Sequence, residues 1–135
     1  MLVLPVIIHS REAKEDTLSI LKSEAEDLDG VLHCYAYGLE TADQAVDLGF
    51  YIAFGGIVTF NSAQELKIVV PNLGLDRLLF ETDAPYLAPQ AHRGDRNEPK
   101  YVQEVAETIA DIKNVAVEKI AAQTTKNANK LFGLD

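Results

Sequence analysis

Two histidines and two carboxylates follow apolar segments of the sequence, at positions where strands are expected to end. His9 follows the run LPVII, and His33 follows VL. Glu81 and Asp83 come directly after LLF, separated by one threonine. The carboxyl ends of parallel strands meet at one rim in α/β folds, and that rim carries the site. Because imidazole and carboxylate bind zinc, manganese and similar divalent ions, the pattern indicates a metal site.

The alternation of side chains along a strand supports this interpretation. His9 shares a strand face with Ile7, and Asp83 shares one with Glu81. Simpler explanations also stay open, because a single histidine at a strand end is often a hydrogen-bonded structural residue. Either acid could instead pair with an arginine of the loop that follows. Cys34, next to the second histidine, is interpreted as a small buried apolar residue.

Length and charge limit what the chain can be. With 135 residues it is expected to form a single domain, residues 1–135. A net charge of −9 argues against binding nucleic acid mainly through a basic surface. The same charge leaves open an enzyme that meets phosphate through metal ions and a few arginines.

Membrane insertion and secretion are not expected. The apolar runs are far shorter than the ~20 residues that cross a bilayer. Residues 1–8 are apolar but lack a preceding basic region, which is more typical of a strand than of a secretory signal. One cysteine excludes an internal disulfide framework and favours a reducing compartment. We therefore expect a cytoplasmic protein with no membrane segment.

Short apolar segments alternate with helical patterns along the chain. Strands are predicted at 4–9, 31–34, 50–56 and 77–83, and helices at 12–28, 40–49, 61–70, 99–112 and 116–132. Asn61 is expected to cap the third helix, and Gly133 to end the last one. A βα unit repeated four times predicts a parallel α/β sheet. Four strands are half the number in a (β/α)8 barrel, whereas a complete doubly wound domain usually has a fifth.

Six stretches resemble, in order, the carboxyl-terminal half of the TatD family of metal-dependent deoxyribonucleases. They are PVIIHSREA, GVLHCYAYG, GFYIAFGGIVTF, LLFETDAPYLAP, AHRGDRNEP and TTKNANKLFG. The most specific part is ETDAPYLAP followed by HRGDRNEP, and the likeness covers nearly the whole chain. It implies the parallel (β/α)4 half of a TIM-type (β/α)8 barrel, here strands five to eight. It also implies one to three divalent ions (Mg, Mn or Zn) and cleavage of phosphodiester bonds in DNA.

The resemblance also implies roles for individual residues. His9 and His33 correspond to the imidazole ligands of one ion. Asp83 corresponds to a ligand of the neighbouring ion and to the catalytic group that orients or deprotonates the attacking water. Glu81 is expected to orient a ligand or an arginine from behind the metal site. Contacts to the substrate phosphate are implied for Arg11, His92, Arg93 and Arg96.

Two features depart from the family pattern. The family usually has HCFSG where this chain has HCYAYG, so Ala36 replaces a serine and Tyr37 adds bulk in a loop expected to contact phosphate. The family's first four strands also supply a His-x-His pair and a bridging glutamate that this sequence lacks. A chain that cannot hold the full set of ions could be a non-catalytic, self-associating remnant. A related metal-dependent hydrolase acting on other esters or amides is a further alternative.

A half barrel would expose apolar surface. Its inner face, with Ile7, Val31 and Leu79, would be open to water, and two sheet edges would be unpaired. Burying one Leu or Ile side chain contributes ~1.5–3 kcal/mol, so exposing several would remove much of a domain's stability. We therefore expect completion by a second copy, as a homodimer, or by a missing N-terminal half.

Overall fold

A sheet of four parallel strands organises the protein, whose computed structural model describes residues 4–134. The strands lie side by side in chain order. They are β1 (Val6–His9), β2 (Gly30–His33), β3 (Tyr51–Phe54) and β4 (Leu78–Phe80). The register pairs His9 with His33, so both histidines stand at the same level of the rim. The prediction of an α/β fold with a parallel sheet is confirmed.

Helices follow each strand, and two follow the last. They are α1 (Lys14–Glu24), α2 (Leu39–Asp47), α3 (Leu66–Asn72), α4 (Val102–Lys113) and α5 (Val117–Phe132). The predicted end of α5 is confirmed, because Gly133 closes it in a left-handed conformation with φ 63°. The segment 99–101, predicted as the first turn of α4, is instead a short 3-10 turn.

The predicted start of α3 is wrong. Residues 61–65 form turns, and the helix begins only at Leu66, so Asn61 is not its cap. The Asn61 N–H donates to Gln90 Oε1 at 3.1 Å, and its carbonyl accepts from Gln64 Nε2 at 2.7 Å. Contacts with a distant loop and with a neighbouring side chain therefore hold this segment out of the helix.

The two faces of the sheet differ in how they are covered. On the face that we call the helix-covered face, Leu32, Ile52, Phe54 and Leu78 pack in one large core that includes α4 and α5 residues. On the opposite, inner face, Val31, Ala53 and Leu79 form a smaller cluster with Tyr51 and Leu131.

The expected exposure of the inner face is therefore wrong for two of three residues. Ile7 is 64% exposed, whereas Val31 is 4% and Leu79 is 6% exposed. The reason is that Leu131 reaches this face from the last turn of α5, and Tyr51 from the neighbouring strand, in the same cluster.

The described part of the chain contains no helix with the length and apolar character required to span a bilayer. Residues 1–3 and Asp135 lie outside the described residues. The single-domain prediction over 1–135 and the interpretation of residues 1–8 as a strand therefore concern, in part, positions that the structure does not describe.

Candidate metal centre

His33, the last residue of β2, lies between the two carboxylates that follow β4. Its Nε2 is 3.3 Å from Asp83 Oδ1, and its Nδ1 is 3.8 Å from Glu81 Oε2. One ligand atom from each of these three residues lies within 4.8 Å of the other two. In residues 4–134 this is the one group of three or more His, Cys, Asp or Glu side chains with such spacing.

His9 extends the group along the rim. Its ring centroid is 5.9 Å from that of His33, with the ring planes tilted by 48°, and its side chain is exposed. The structure thus brings together His9, His33 and Asp83, the three residues for which a ligand role is predicted, and places Glu81 beside them. Their roles as ligands stay predictions, and the geometry is compatible with them.

Glu81 is held in an arrangement that favours a nearby cation. Both of its carboxylate oxygens are buried and have no hydrogen-bond partner within the described part of the chain. Burial raises the pKa of this carboxyl; proximity to His33 opposes the rise, and Asp83 adds to it. A buried, unpartnered carboxylate is unfavourable unless it is neutralised. One imidazole and two carboxylates match the ligand preference of divalent ions, so these residues fit a metal.

Gly55 makes this position of Glu81 possible. A Cβ atom at residue 55 would overlap Glu81 Oε1 and its carboxyl carbon. Only glycine therefore leaves room for the carboxylate at the end of β3. Gly55 lies inside the strand predicted at 50–56, and the sequence does not show that Glu81 lies opposite it.

Unusual backbone conformations gather around the same centre. Five non-glycine residues within 4–134 have positive φ, and four of them are Glu12 (53°), Cys34 (51°), Asp83 (55°) and Leu87 (55°). These four line one cavity of about 530 Å³, together with His9. Such conformations cost roughly 1–3 kcal/mol each and cluster at functional sites. Their grouping supports a functional role for the cavity.

Asn97 holds the loop that carries Asp83. Its side chain is 2% exposed, and Nδ2 donates to the carbonyls of Thr82 (2.6 Å) and Tyr86 (2.7 Å). Its backbone N–H donates to the Pro85 carbonyl at 3.0 Å. Three hydrogen bonds therefore fix the loop on either side of Asp83. Asn97 was not predicted, because only the cationic members of HRGDRNEP suggest a contact with phosphate.

The predicted phosphate contacts divide into two groups. Arg11 lines the cavity beside His9. His92 instead lies 2.6 Å from Glu104 Oε1 through its Nε2, and its ring stacks on Tyr101 with centroids 3.9 Å apart. The other two residues also lie outside the cavity lining: the Arg93 guanidinium is 3.9 Å from the Phe60 ring centroid, and Arg96 is exposed. A phosphate role for these last three stays a prediction.

Cys34 is buried next to the centre, as expected. Burial, and then the carboxylates of Glu81 and Asp83, raise the pKa of its thiol to about 12. The thiol therefore stays protonated near neutral pH, which agrees with its interpretation as a small buried side chain.

The altered loop after β2 is tied to the loop after β1. The Tyr37 hydroxyl is 2.8 Å from Ser10 Oγ, and it accepts the backbone N–H of Ala13 at 3.2 Å. Ser10 Oγ is also 2.7 Å from the Thr17 hydroxyl. The Tyr37 side chain thus connects the loop after β2 with the loop after β1, and both loops border the cavity.

A parallel sheet with imidazole and carboxylate groups at its carboxyl-terminal rim defines an α/β protein with a candidate metal centre. Comparison with known families makes the assignment of this class of protein more specific. The family described as TatD related DNase matches residues 1–133, and the chain belongs to this family. The resemblance found from the sequence motifs is confirmed.

Individual relatives agree with this assignment. The chain is 53% identical over 132 residues to the uncharacterized metal-dependent hydrolase YcfH of Escherichia coli K12, covering 97% of this chain and 50% of that protein. It is 34% identical to a Klebsiella pneumoniae protein named 3'-5' ssDNA/RNA exonuclease TatD, covering 99% and 53%. The crystal structure of YJJV, a TatD homologue from E. coli K12, superposes with a TM-score of 0.90 at 30% identity, covering 98% and 51%. The chain spans about half the length of the curated relatives it matches.

Proposed function

We propose that this chain carries part of the active site of a metal-dependent hydrolase that cleaves phosphodiester bonds in DNA. The observation that carries the proposal is the buried Glu81 carboxylate, which lacks a hydrogen-bond partner among the described residues and lies beside His33 and Asp83. Several relatives are named metal-dependent hydrolases, and one is named an exonuclease of single-stranded DNA and RNA. Those names support a phosphodiester substrate.

His9 and His33 would hold one divalent ion (Mg, Mn or Zn), and Asp83 would hold its neighbour, with Glu81 orienting these ligands or completing the set. A bound ion of this kind polarises a phosphoryl oxygen and lowers the pKa of bound water. Asp83, fixed by its loop, accepts a hydrogen bond from the attacking water and so orients it. Arg11 donates hydrogen bonds to a non-bridging phosphate oxygen.

We further propose that the four strands belong to a closed (β/α)8 barrel. β1 is the edge of the sheet within the described residues, and two of the exposed apolar side chains, Leu4 and Ile7, lie on or next to it. Covering each would contribute ~1.5–3 kcal/mol, which favours further strands at this edge. These strands would come from the other half of a longer protein or from a second copy of the chain.

Solution mass tests the barrel. Light scattering of the purified chain should give a mass near twice 14.8 kDa if a second copy completes the barrel. If the chain is a monomer, it should bind a dye that is specific for apolar surface, and this binding should decrease when the other half of a relative's barrel is supplied. A monomer that binds no such dye would contradict the proposed closure.

Metal content and nucleotide release test the chemistry. The purified chain should bind Mn²⁺ and, with Mn²⁺ or Mg²⁺, release nucleotides from single-stranded DNA; Asp83→Asn should lose both. Asp111→Asn, an exposed change on α4, is the matched control and should retain both. Binding without release would favour the non-catalytic remnant. Release from a simple ester or amide but not from DNA would favour a related hydrolase, and failure to bind metal would contradict the proposal.

A further inference from the structure

The cavity at the candidate metal centre is lined by both polar and apolar side chains. His9, Arg11 and Asp83 are among the polar members. The large aromatic and aliphatic members are Tyr37, Ile57, Tyr86 and Leu87. A volume of about 530 Å³ is within the range of small-ligand pockets. The cavity is thus suited to a ligand with a charged group and an adjoining flat or apolar group.

Tyr86 presents an exposed ring on a fixed backbone. The residue is 70% exposed. Its N–H donates to the Asp83 carbonyl at 2.9 Å, and its carbonyl accepts from Asn97 Nδ2 at 2.7 Å. The next carbonyl, that of Leu87, lies so close to Gly56 that a Cβ there would overlap it. The ring therefore projects into solvent from a loop that cannot easily move, three residues after a predicted metal ligand.

Tyr37 contributes a second fixed aromatic surface to the cavity. Its hydroxyl is held by Ser10 Oγ and by the Ala13 N–H, at 2.8 and 3.2 Å. Its ring also meets that of Tyr35 edge-on, with centroids 5.9 Å apart. Aromatic rings lose little conformational entropy on binding when they are already held in place. Two such surfaces in one cavity favour a flat ligand.

Because the chain carries a negative net charge, binding of an anionic polymer such as nucleic acid depends on local contacts of this kind. With a net charge of −9, general attraction to phosphate is not available. Among the residues that line the cavity, Arg11 is the only lysine or arginine, and Glu12 lies next to it. Stacking of a base on an aromatic side chain contributes about 1–3 kcal/mol and does not require a basic surface.

We propose that Tyr86, with Tyr37, binds the base of the nucleotide whose phosphate lies at the metal centre. The inference rests on the proposed function and adds to it a contact with the substrate: a base that is unstacked from its neighbours. Because stacking contacts the face of a base and not its edge, base sequence has little influence on binding. A sugar phosphate that lacks the base therefore binds more weakly, and the difference equals the binding free energy that stacking contributes.

Calorimetry of the Mn²⁺-loaded chain with two ligands tests this site. The ligands are dAMP and 2-deoxyribose 5-phosphate, which share the sugar phosphate and differ in the base. The wild type should bind dAMP about 5- to 150-fold more tightly, the equivalent of stacking one base. Tyr86→Ala should remove most of this preference and leave the part that Tyr37 contributes, whereas Tyr86→Phe should keep it in full. Phe132→Ala, which removes another exposed aromatic ring outside the cavity lining, should also keep it.

Each outcome separates the base site from the proposed function. Equal affinity for the two ligands in the wild type, or a preference that is undiminished in Tyr86→Ala, would overturn the base site and leave the phosphate site standing. Failure of the loaded chain to bind either ligand would overturn the proposed function and the base site with it. Since Tyr86 is mostly exposed, its substitution is not expected to unfold the chain, and circular dichroism checks this.

Discussion

The helix-covered face of the sheet and the rim at its strand ends are built in opposite ways. On the face, Ile52, Phe54 and Leu78 are fully buried among apolar neighbours. At the rim, Asp83 has a φ of 55°, and the buried oxygens of Glu81 lack partners among the described residues. Strained or unsatisfied groups persist only where surrounding structure holds them. The well-packed face therefore stabilises a rim that is unfavourable by itself and suited to chemistry.

The largest effect is expected on the helix-covered face. Ile109→Ala should lower the free energy of unfolding by about 2–5 kcal/mol, because it leaves a cavity among fully buried side chains. Ile20→Ala makes the same chemical change on α1, where the side chain is 60% exposed, and should cost less than about 0.5 kcal/mol. Urea denaturation measures both. Equal losses would show that the core does not lie where the structure places it.

A smaller loss is expected in the rim loop that carries Asp83. Asn97→Ala should lower the free energy of unfolding by about 1–3 kcal/mol, because the Thr82 and Tyr86 carbonyls lose their buried donor. Asn72→Ala removes a similar hydrogen bond, to the Ile68 carbonyl, at an exposed position and should have little effect. Urea denaturation compares the two variants. An Asn97 variant as stable as the wild type would mean that the Asp83 loop is fixed by other contacts.

Local patterns in the sequence were sufficient to predict the sheet. Apolar runs of strand length alternate with helical periodicity, and this alternation predicts parallel strands. The order of the strands was implied only by the family resemblance, because the pattern alone also allowed a doubly wound sheet. The start of α3 could not be predicted in this way, because Asn61 is held by Gln90, which is distant in sequence. Burial of Val31 depends likewise on Leu131, which only the folded chain brings to the inner face.

The site was predictable where it depends on strand ends alone. The convergence of His9, His33 and Asp83 follows from their equivalent positions after parallel strands. Gly55 and Asn97 could not be assigned, because their roles depend on which side chain or carbonyl lies opposite them in space. The sequence thus identifies groups that carry charge, whereas the supporting contacts require the structure.

Glu81→Gln should separate stability from function at the rim. Affinity for Mn²⁺ should fall about 10- to 100-fold, the loss typical when a group that orients metal ligands is changed. With a chelator present, the free energy of unfolding should stay the same or rise, since the substitution removes a buried charge that has no hydrogen-bond partner among the described residues. Glu26→Gln, at an exposed position, should change neither quantity. Calorimetry measures the affinity, and urea denaturation in the presence of a chelator measures the stability. If the variant is less stable than the wild type in the chelator, the Glu81 carboxylate has favourable interactions in the metal-free protein.

The smallest effect concerns the Lys113 amine, which, unlike the Glu81 carboxylate, has a hydrogen-bond partner among the described residues. Lys113, at the end of α4, is half-buried and donates from Nζ to the Leu73 carbonyl at 2.5 Å. Burial lowers the pKa of this amine below its ordinary value of 10.5. The folded chain therefore releases this proton before the unfolded chain does, so the contribution of Lys113 to the free energy of unfolding is constant at low pH. That contribution should increase as the pH rises through the folded pKa towards 10.5.

Lys113→Gln removes this titration. The stability of the wild type relative to this variant should increase between neutral pH and pH 10.5, by less than the losses expected for Ile109→Ala and Asn97→Ala, because the amine is partly hydrated and keeps its acceptor. Lys126→Gln, on the exposed side of α5, accounts for the general loss of one lysine. Urea denaturation at the two pH values measures the difference. A relative stability that decreases with pH would show that the Leu73 carbonyl stabilises the charged amine more than burial destabilises it, and would make the contrast with Glu81 sharper.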